Sequence, residues 1–273
     1  MQNIPAATGW AWFKGGFALF RRQPAELSTL FLSYLFMMVA VGLVPVAGQL
    51  LPLLLVPAFS MAFLQACVKV EKGERVYPNL LMTGFRSPAL KKLLLLGVLY
   101  LLALVAAIYA STLLDSKGVF LRILTVPGGV APAELAAGGW AGGMLLSALV
   151  YLPAGMCFWF AAPLVTWQDM SVGKAIFYSF FAVVRARKAF LLYGVAWLLT
   201  GVLLPSILST ILAMVLGQSL ISLLILMPVS LVLTAILYYS FYPTYVTIFG
   251  APGQKPAADK NADPAPPGAS PDA

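Results

Sequence analysis

The chain has 273 residues, of which 61% are hydrophobic and only 10% charged. Its mean hydropathy of +0.93 excludes the ordinary soluble globular class, in which long uncharged runs are rare. A net charge of +8 would suit nucleic acid, but basic residues of membrane proteins collect in cytoplasmic loops; that reading is adopted, and nucleic acid is not an expected partner.

Residues 1–26 come first. Thr8 can cap a helix in which Trp10, Phe13, Phe17 and Phe20 share one face, with Lys14 and Arg21 along its edge and Trp12 and Leu19 pointing the other way. The expectation is an interfacial helix on the bilayer, its cations snorkelling to headgroups. The alternative is a helix buried against the bundle.

No charged side chain lies between Glu26 and Lys69. A membrane-crossing helix needs about 20 apolar residues, so this stretch reads as two spans, 27–44 and 50–68, joined by a chargeless turn at 45–49. Pro52 and Pro57 fall in the second. Residues 69–92 are the most charged stretch, with Pro78 placed to open a short helix ending near Ser87-Pro88. The third span is 93–114. Residues 115–138 follow, with Pro127-Gly128-Gly129 in the middle, and Phe120, Ile123 and Leu124 suited to rest on the membrane surface.

The fourth span, 139–167, contains Pro153 and Pro163. Gly138, Gly139, Gly142 and Gly143 form two overlapping GxxxG pairs at its entry, which read either as a close helix–helix seam or as a flexible start. Asp169 and Ser171 are placed to cap a helix running through Lys188, with Ile176, Phe177, Phe180 and Val184 on its apolar side. The fifth span, 189–216, has Gly194 and Gly201 on one face. A chargeless turn at 217–219 leads to the sixth span, 220–249, which contains Pro228 and ends in Tyr238, Tyr239, Tyr242 and Tyr245, a grouping suited to an aromatic belt. The tail, 250–273, is mainly Pro, Ala, Gly and Asp and is expected to be disordered. The fold class is therefore an all-α integral membrane protein: six transmembrane helices as three helical hairpins over 27–249, with interfacial amphipathic helices on the cytoplasmic side.

Of the 17 Lys and Arg residues, all but Lys117 and Arg122 fall on the side of the termini, so both termini are expected to be cytoplasmic. A cleaved signal peptide is not expected, because the first apolar run starts late and is too long. A threefold parallel repeat is also expected. A helix-forming stretch ending in basic residues precedes each odd span, at Arg21-Arg22, at Arg86 and at Arg185-Ala186-Arg187-Lys188. Each even span carries a proline, at Pro57, Pro153 and Pro228.

Pro163-Leu164-Val165, Asp169, Gly173-Lys174-Ala175, Ser179 and Arg185 together resemble a junction in a broad group of bacterial six-span proteins. That group includes the membrane domain attached to some glycerophosphodiester phosphodiesterases. The opening Pro5-Ala6-Ala7-Thr8-Gly9-Trp10 and Phe20-Arg21-Arg22-Gln23-Pro24 is similar to one uncharacterised inner-membrane branch of the same group. The resemblance implies a bacterial cytoplasmic-membrane location and no chemistry. The soluble phosphodiesterase domain with its metal-binding acids has no counterpart in these residues, so its activity does not carry over.

Catalysis is not expected. There is no histidine, and no span interior holds an Asp, Glu, Lys or Arg, whereas intramembrane enzymes and pumps bury such groups for use. Glu26 and Asp169 sit at span ends, where capping or pairing with Arg22 or Lys174 accounts for them. Cys67 and Cys157 lie in apolar segments as small packing residues; no metal site and no cofactor are expected.

Two functional readings remain. In the first, a non-catalytic structural or accessory protein uses Arg21, Arg22, Arg86, Arg185, Arg187 and Lys188 to hold anionic lipid headgroups or a partner, either another protein or a second copy of the chain. The same residues also serve as a plain topology signal. In the second, Pro57, Pro153 and Pro228 break helices around a central cavity that passes a small neutral or amphiphilic solute. A polar, water-reachable centre favours the second reading and a dry apolar centre disfavours it.

Overall fold

In hydrocarbon a backbone N–H or C=O has no water to bond, so an apolar run satisfies its own groups by folding as a helix. The computed structural model describes residues 4–45, 48, 50–115, 117–126, 130–136, 138–217 and 220–252, and among them every regular element is helical. The six-span reading holds. Six stretches are long and apolar enough to cross a membrane: Pro24–Gly42, Leu51–Glu71, Leu90–Ser111, Trp140–Trp167, Arg187–Val215 and Leu220–Phe249. Of the expected turns, Val46, Ala47, Gln49, Gln218 and Ser219 lie outside the described residues, as do 127–129 and the tail beyond Pro252.

The first helix, α1 (Ala7–Arg22), precedes the two spans α2 (Pro24–Gly42) and α3 (Leu51–Glu71). A 3-10 turn, Pro78–Met82, and the short α4 (Thr83–Arg86) precede the span α5 (Leu90–Ser111). Two short helices, α6 (Val119–Thr125) and α7 (Pro132–Ala136), lead to the fourth span, which is divided into α8 (Trp140–Phe158) and α9 (Ala161–Trp167). Then α10 (Val172–Arg185) precedes α11 (Arg187–Trp197), which passes through a π-helical turn into α12 (Leu204–Leu216); α13 (Leu220–Phe249) closes the chain. The proline chemistry explains both broken spans. Pro163 cannot bond the Trp159 carbonyl, and the helix parts at Trp159–Phe160. Pro205 follows the π-helical turn Leu198–Leu203.

The three units interlock head to tail. Each helix that precedes an odd span packs on both spans of the unit before it: the 3-10 turn and α4 on α2 and α3, α10 on α5 and α8–α9, and α1 on α11 and α13. The last of these closes the ring. At each seat the contact is made by a small residue. A Cβ on Gly84 would overlap the Ala58 carbonyl of α3, and one on Gly16 would crowd Ser240 and the Ile236 carbonyl of α13. In α10 the seat is Ser179, whose hydroxyl donates to the Met156 carbonyl (2.8 Å) and accepts the Phe160 N–H (2.9 Å). Those two bonds pin the break between α8 and α9.

Several expectations need correction. The packed stripe of α1 is Gly9, Trp12, Phe13, Gly16, Leu19 and Phe20. Trp12 and Leu19, assigned to the far side by the aromatic pattern, are core residues, and Trp10 is 47% exposed. The helix runs alongside α11, Gly9 against Ala189 and Phe13 against Trp197, and antiparallel to α13, with the Trp12 indole donating to Thr247 (3.0 Å). It is docked in the bundle. The tyrosines near the end of α13 are interior pins more than a belt: Tyr239, Tyr242 and Tyr245 are buried. Tyr239 donates to the Leu27 carbonyl (2.7 Å), Tyr242 bonds Glu71, and Tyr245 accepts from Gln168 (3.1 Å). Of the GxxxG pairs, Gly143 lies tight against Ser111 and Asp115 and Gly142 against Leu114, while Gly138 has φ +70 and Gly139 touches nothing. Gly194 also meets nothing, and Gly201 meets only Trp197 of its own helix stretch. The face they share is not a seam.

Core packing is concentrated at the basic end, where the continuous cluster runs through Leu27, Phe63, Leu93, Phe160, Tyr193 and Tyr239. Toward the other end α5 and α8 stay together, but no side chain of residues 204–215 in α12 or 220–234 in α13 is buried.

The tight seats carry a test. Gly97 of α5 lies against the Leu54 carbonyl, whereas a Cβ at Gly194 meets nothing within 4 Å. Gly97→Ala should cost about 1–3 kcal/mol, seen as a lower thermal unfolding midpoint in micelles, and Gly194→Ala should be neutral or slightly stabilising. Equal midpoints would refute the close contact.

Candidate functional site

All six basic candidates, Arg21, Arg22, Arg86, Arg185, Arg187 and Lys188, are exposed at one end of the bundle, each at the junction between a docking helix and the span that follows. They do not form one site. At the third junction Arg185, Arg187 and Lys188 line a cavity of about 350 Å³ with Ile4, Phe181 and Val184. The sharp α10–α11 elbow at Ala186, itself fully buried, sets this arrangement by fixing the backbone while the flanking cations turn outward.

The buried side of α10 is Ala175, Ser179 and Val183, so Phe177 of the expected apolar side faces outward. Phe177, Tyr178 and Phe181 are 60%, 51% and 46% exposed. With Lys174 one turn before them and Arg185 one turn after, they make an outward aromatic strip with a cation at each end, the composition of a helix lying in a membrane interface.

Around this end polar side chains tie loops to helices. Gln23, not singled out by the sequence patterns, donates to the Glu74 carbonyl (2.8 Å) and accepts the Val76 N–H (3.2 Å). Lys69 pairs with Glu74 at 3.2 Å. Asp169 pairs with Lys92 at 2.7 Å instead of capping α10 or meeting Lys174, and Lys92 also reaches the Met170 carbonyl. At the opposite end Arg122 pairs with Glu134 at 3.0 Å, and the Asp115 carboxylate accepts the Phe120 N–H at 2.6 Å.

The second candidate region is a central cavity of about 370 Å³. The three even spans do converge on it, through Pro57 and Phe63 of α3, Tyr151 and Gly155 of α8, and Tyr238 of α13, with Leu96 and Tyr100 of α5 beside them. The prolines do not surround it. Pro57 lines the wall, but Pro153 and Pro228 are exposed on the outside of the bundle. The phenol and indole rings at the wall were not legible in the sequence, because nothing in an apolar run marks which aromatic faces inward.

The chain is 40% identical over 263 residues to a probable inner membrane protein of Burkholderia thailandensis, a match covering 94% of this chain and 96% of that one. No protein-family model matches the chain. No solved structure matches it.

The Lys92–Asp169 pair predicts a pH response. The hydrogen bond from Lys92, and then its charge, hold the Asp169 carboxyl below the usual carboxylate range. Its contribution is therefore present at neutral pH and is lost only as pH falls through that lowered value. The Asp169 side chain is 92% exposed, so little stability is at stake. Lys92→Met should raise the Asp169 midpoint toward the usual carboxylate range, followed by carboxyl NMR in micelles; an unmoved midpoint would remove Lys92 as the cause.

Proposed function

The chain belongs to the family of this Burkholderia thailandensis protein and is a multi-pass inner-membrane protein; from that premise we propose that it is a non-catalytic accessory protein whose basic face holds anionic lipid headgroups on the cytoplasmic side. The observation that carries this reading is the α10–α11 elbow: Arg185, Arg187 and Lys188 around one cavity, beside an exposed aromatic strip on α10. Aromatic rings at the headgroup level fix depth, and clustered cations attract anionic lipid by about 1 kcal/mol per residue.

Among the described residues every Lys and Arg except Lys117 and Arg122 lies at this end, which supports a cytoplasmic location for it and for both termini. The likeness of residues 163–185 to the membrane domain attached to some glycerophosphodiester phosphodiesterases agrees with that placement and adds no reaction. Span interiors free of Asp, Glu, Lys and Arg support a non-catalytic role. The central cavity is walled mainly by aromatic and aliphatic groups, which favours the accessory reading over passage of a hydrophilic solute.

The test is lipid selectivity in nanodiscs of mixed phosphatidylglycerol and phosphatidylcholine. Replacing Arg185, Arg187 and Lys188 together by Gln should cut retained phosphatidylglycerol, scored by native mass spectrometry, by up to about 100-fold, the equivalent of roughly 3 kcal/mol. Lys117→Gln at the other end should change nothing. A C-terminal reporter checks that topology is kept. Unchanged selectivity in a correctly oriented triple variant would sink the lipid reading; a protein lost from the purified complex in that variant would replace it with a partner site.

A further inference from the structure

The central cavity has features that the basic face does not explain. It lies between the spans α3, α5, α8 and α13, and no Asp, Glu, Lys or Arg is among its lining residues. Two of its few polar groups are engaged within the protein. The Ser60 hydroxyl donates to the Pro57 carbonyl (2.8 Å), and the Trp159 indole donates to Thr244 (3.5 Å). The rings of Tyr151 and Tyr100, and of Tyr238 and Tyr34, pack on one another with centroids 6.0 Å and 5.9 Å apart. A guest therefore finds apolar walls and few open hydrogen-bond partners. A hydrophilic molecule would lose its hydration there without replacement.

The two ends of the cavity differ. Toward the basic end rings pack edge to face, Trp159 against Phe241 at 4.8 Å and Trp167 against Tyr245 at 5.0 Å. Toward the other end and to the side, residues 204–215 of α12 and 220–234 of α13 have no buried side chain. Leu145, Leu149 and Leu152 of α8 and Leu224 and Met227 of α13 are exposed by more than half or nearly so, at 65%, 67%, 57%, 69% and 59%. In an inner-membrane protein those faces meet lipid tails. A dry apolar space that opens onto liquid hydrocarbon fills with hydrocarbon, since water finds no partners in it.

We infer that this cavity is a binding site for one acyl chain of a bilayer phospholipid, entering sideways between α8 and α13. A space of about 370 Å³ is large enough to take up a good part of one acyl chain. The inference is independent of the proposed headgroup site at the α10–α11 elbow, since the two share no residue.

The test uses the full chain reconstituted in phospholipid whose acyl chains carry bromine, a contact quencher of indole emission. The Trp159 contribution is taken as the difference between the wild-type protein and Trp159→Phe. Brominated lipid should quench it at least twofold, although Trp159 sits within the bundle. Gly155→Leu should then restore half or more of that emission by filling the space. A Cβ at Gly155 meets nothing within 4 Å, so this variant should unfold at the wild-type midpoint; Ser60→Leu is a second filler from the facing wall. Quenching that survives both fillers places the chain outside the cavity and overturns the inference. Trp159 insensitive to brominated lipid overturns it as well: concurrent quenching by acrylamide would mark a water-filled path, and insensitivity to both an empty, closed space.

Discussion

Two helices can bring their backbones together only where no side chain stands between them, and this bundle rests on such contacts at three equivalent places. Gly84 on Ala58, Ser179 on the Met156–Phe160 break and Gly16 on Ser240 each seat a docking helix on the spans of the preceding unit. Because α1 takes its seat on the last unit, the first and last segments of the chain hold one another. In lipid, where apolar burial gives helices little reason to prefer each other to tails, close van der Waals approach and buried hydrogen bonds supply the association. Tyr239 to Leu27, Tyr193 to Ser240 and Trp12 to Thr247 add those bonds at the same level.

The consequence is a bundle tied at one end. The seats, the tyrosine pins and most buried rings lie near the basic end, while α12 and the first half of α13 present apolar side chains all round. α13, at 30 residues and about 1.5 Å per residue, is longer than the roughly 30 Å hydrocarbon core. Its last third lies with α1 among the docking helices. The central cavity lies where the even spans converge, at 57–63, 151–163 and 237–241. The basic elbow and the cavity thus follow from one architecture: docking helices bring cations to span starts, and their seats set where the spans part.

Much of this was legible in the sequence, and the misreadings have physical causes. Uninterrupted apolar runs gave the six spans to within a few residues, since hydrocarbon tolerates few charges and only helices. In α1 the sorting of aromatic from charged residues misplaced Trp12 and Leu19, because the packed stripe is centred on Gly9 and Gly16, which carry no hydropathy signal. The tyrosines of α13 were read by type as interfacial, yet Tyr239, Tyr242 and Tyr245 each reach a buried partner on another helix. Of the basic candidates, the run Arg185-Ala186-Arg187-Lys188 was visible, but that it encloses a cavity with Ile4 depended on the elbow at Ala186 and the return of the N-terminus.

By itself the sequence determined the class, the number of spans and the bias of charge to one end. These depend on local quantities, the hydropathy of a twenty-residue window and the count of cations beside it, which no packing arrangement alters. Tertiary structure alone decided which glycine is a seat, which proline lines a cavity and which tyrosine is a pin. In an apolar helix every face is equally compatible with lipid, so the side that turns inward is chosen by shape and by hydrogen-bond partners contributed from distant parts of the chain.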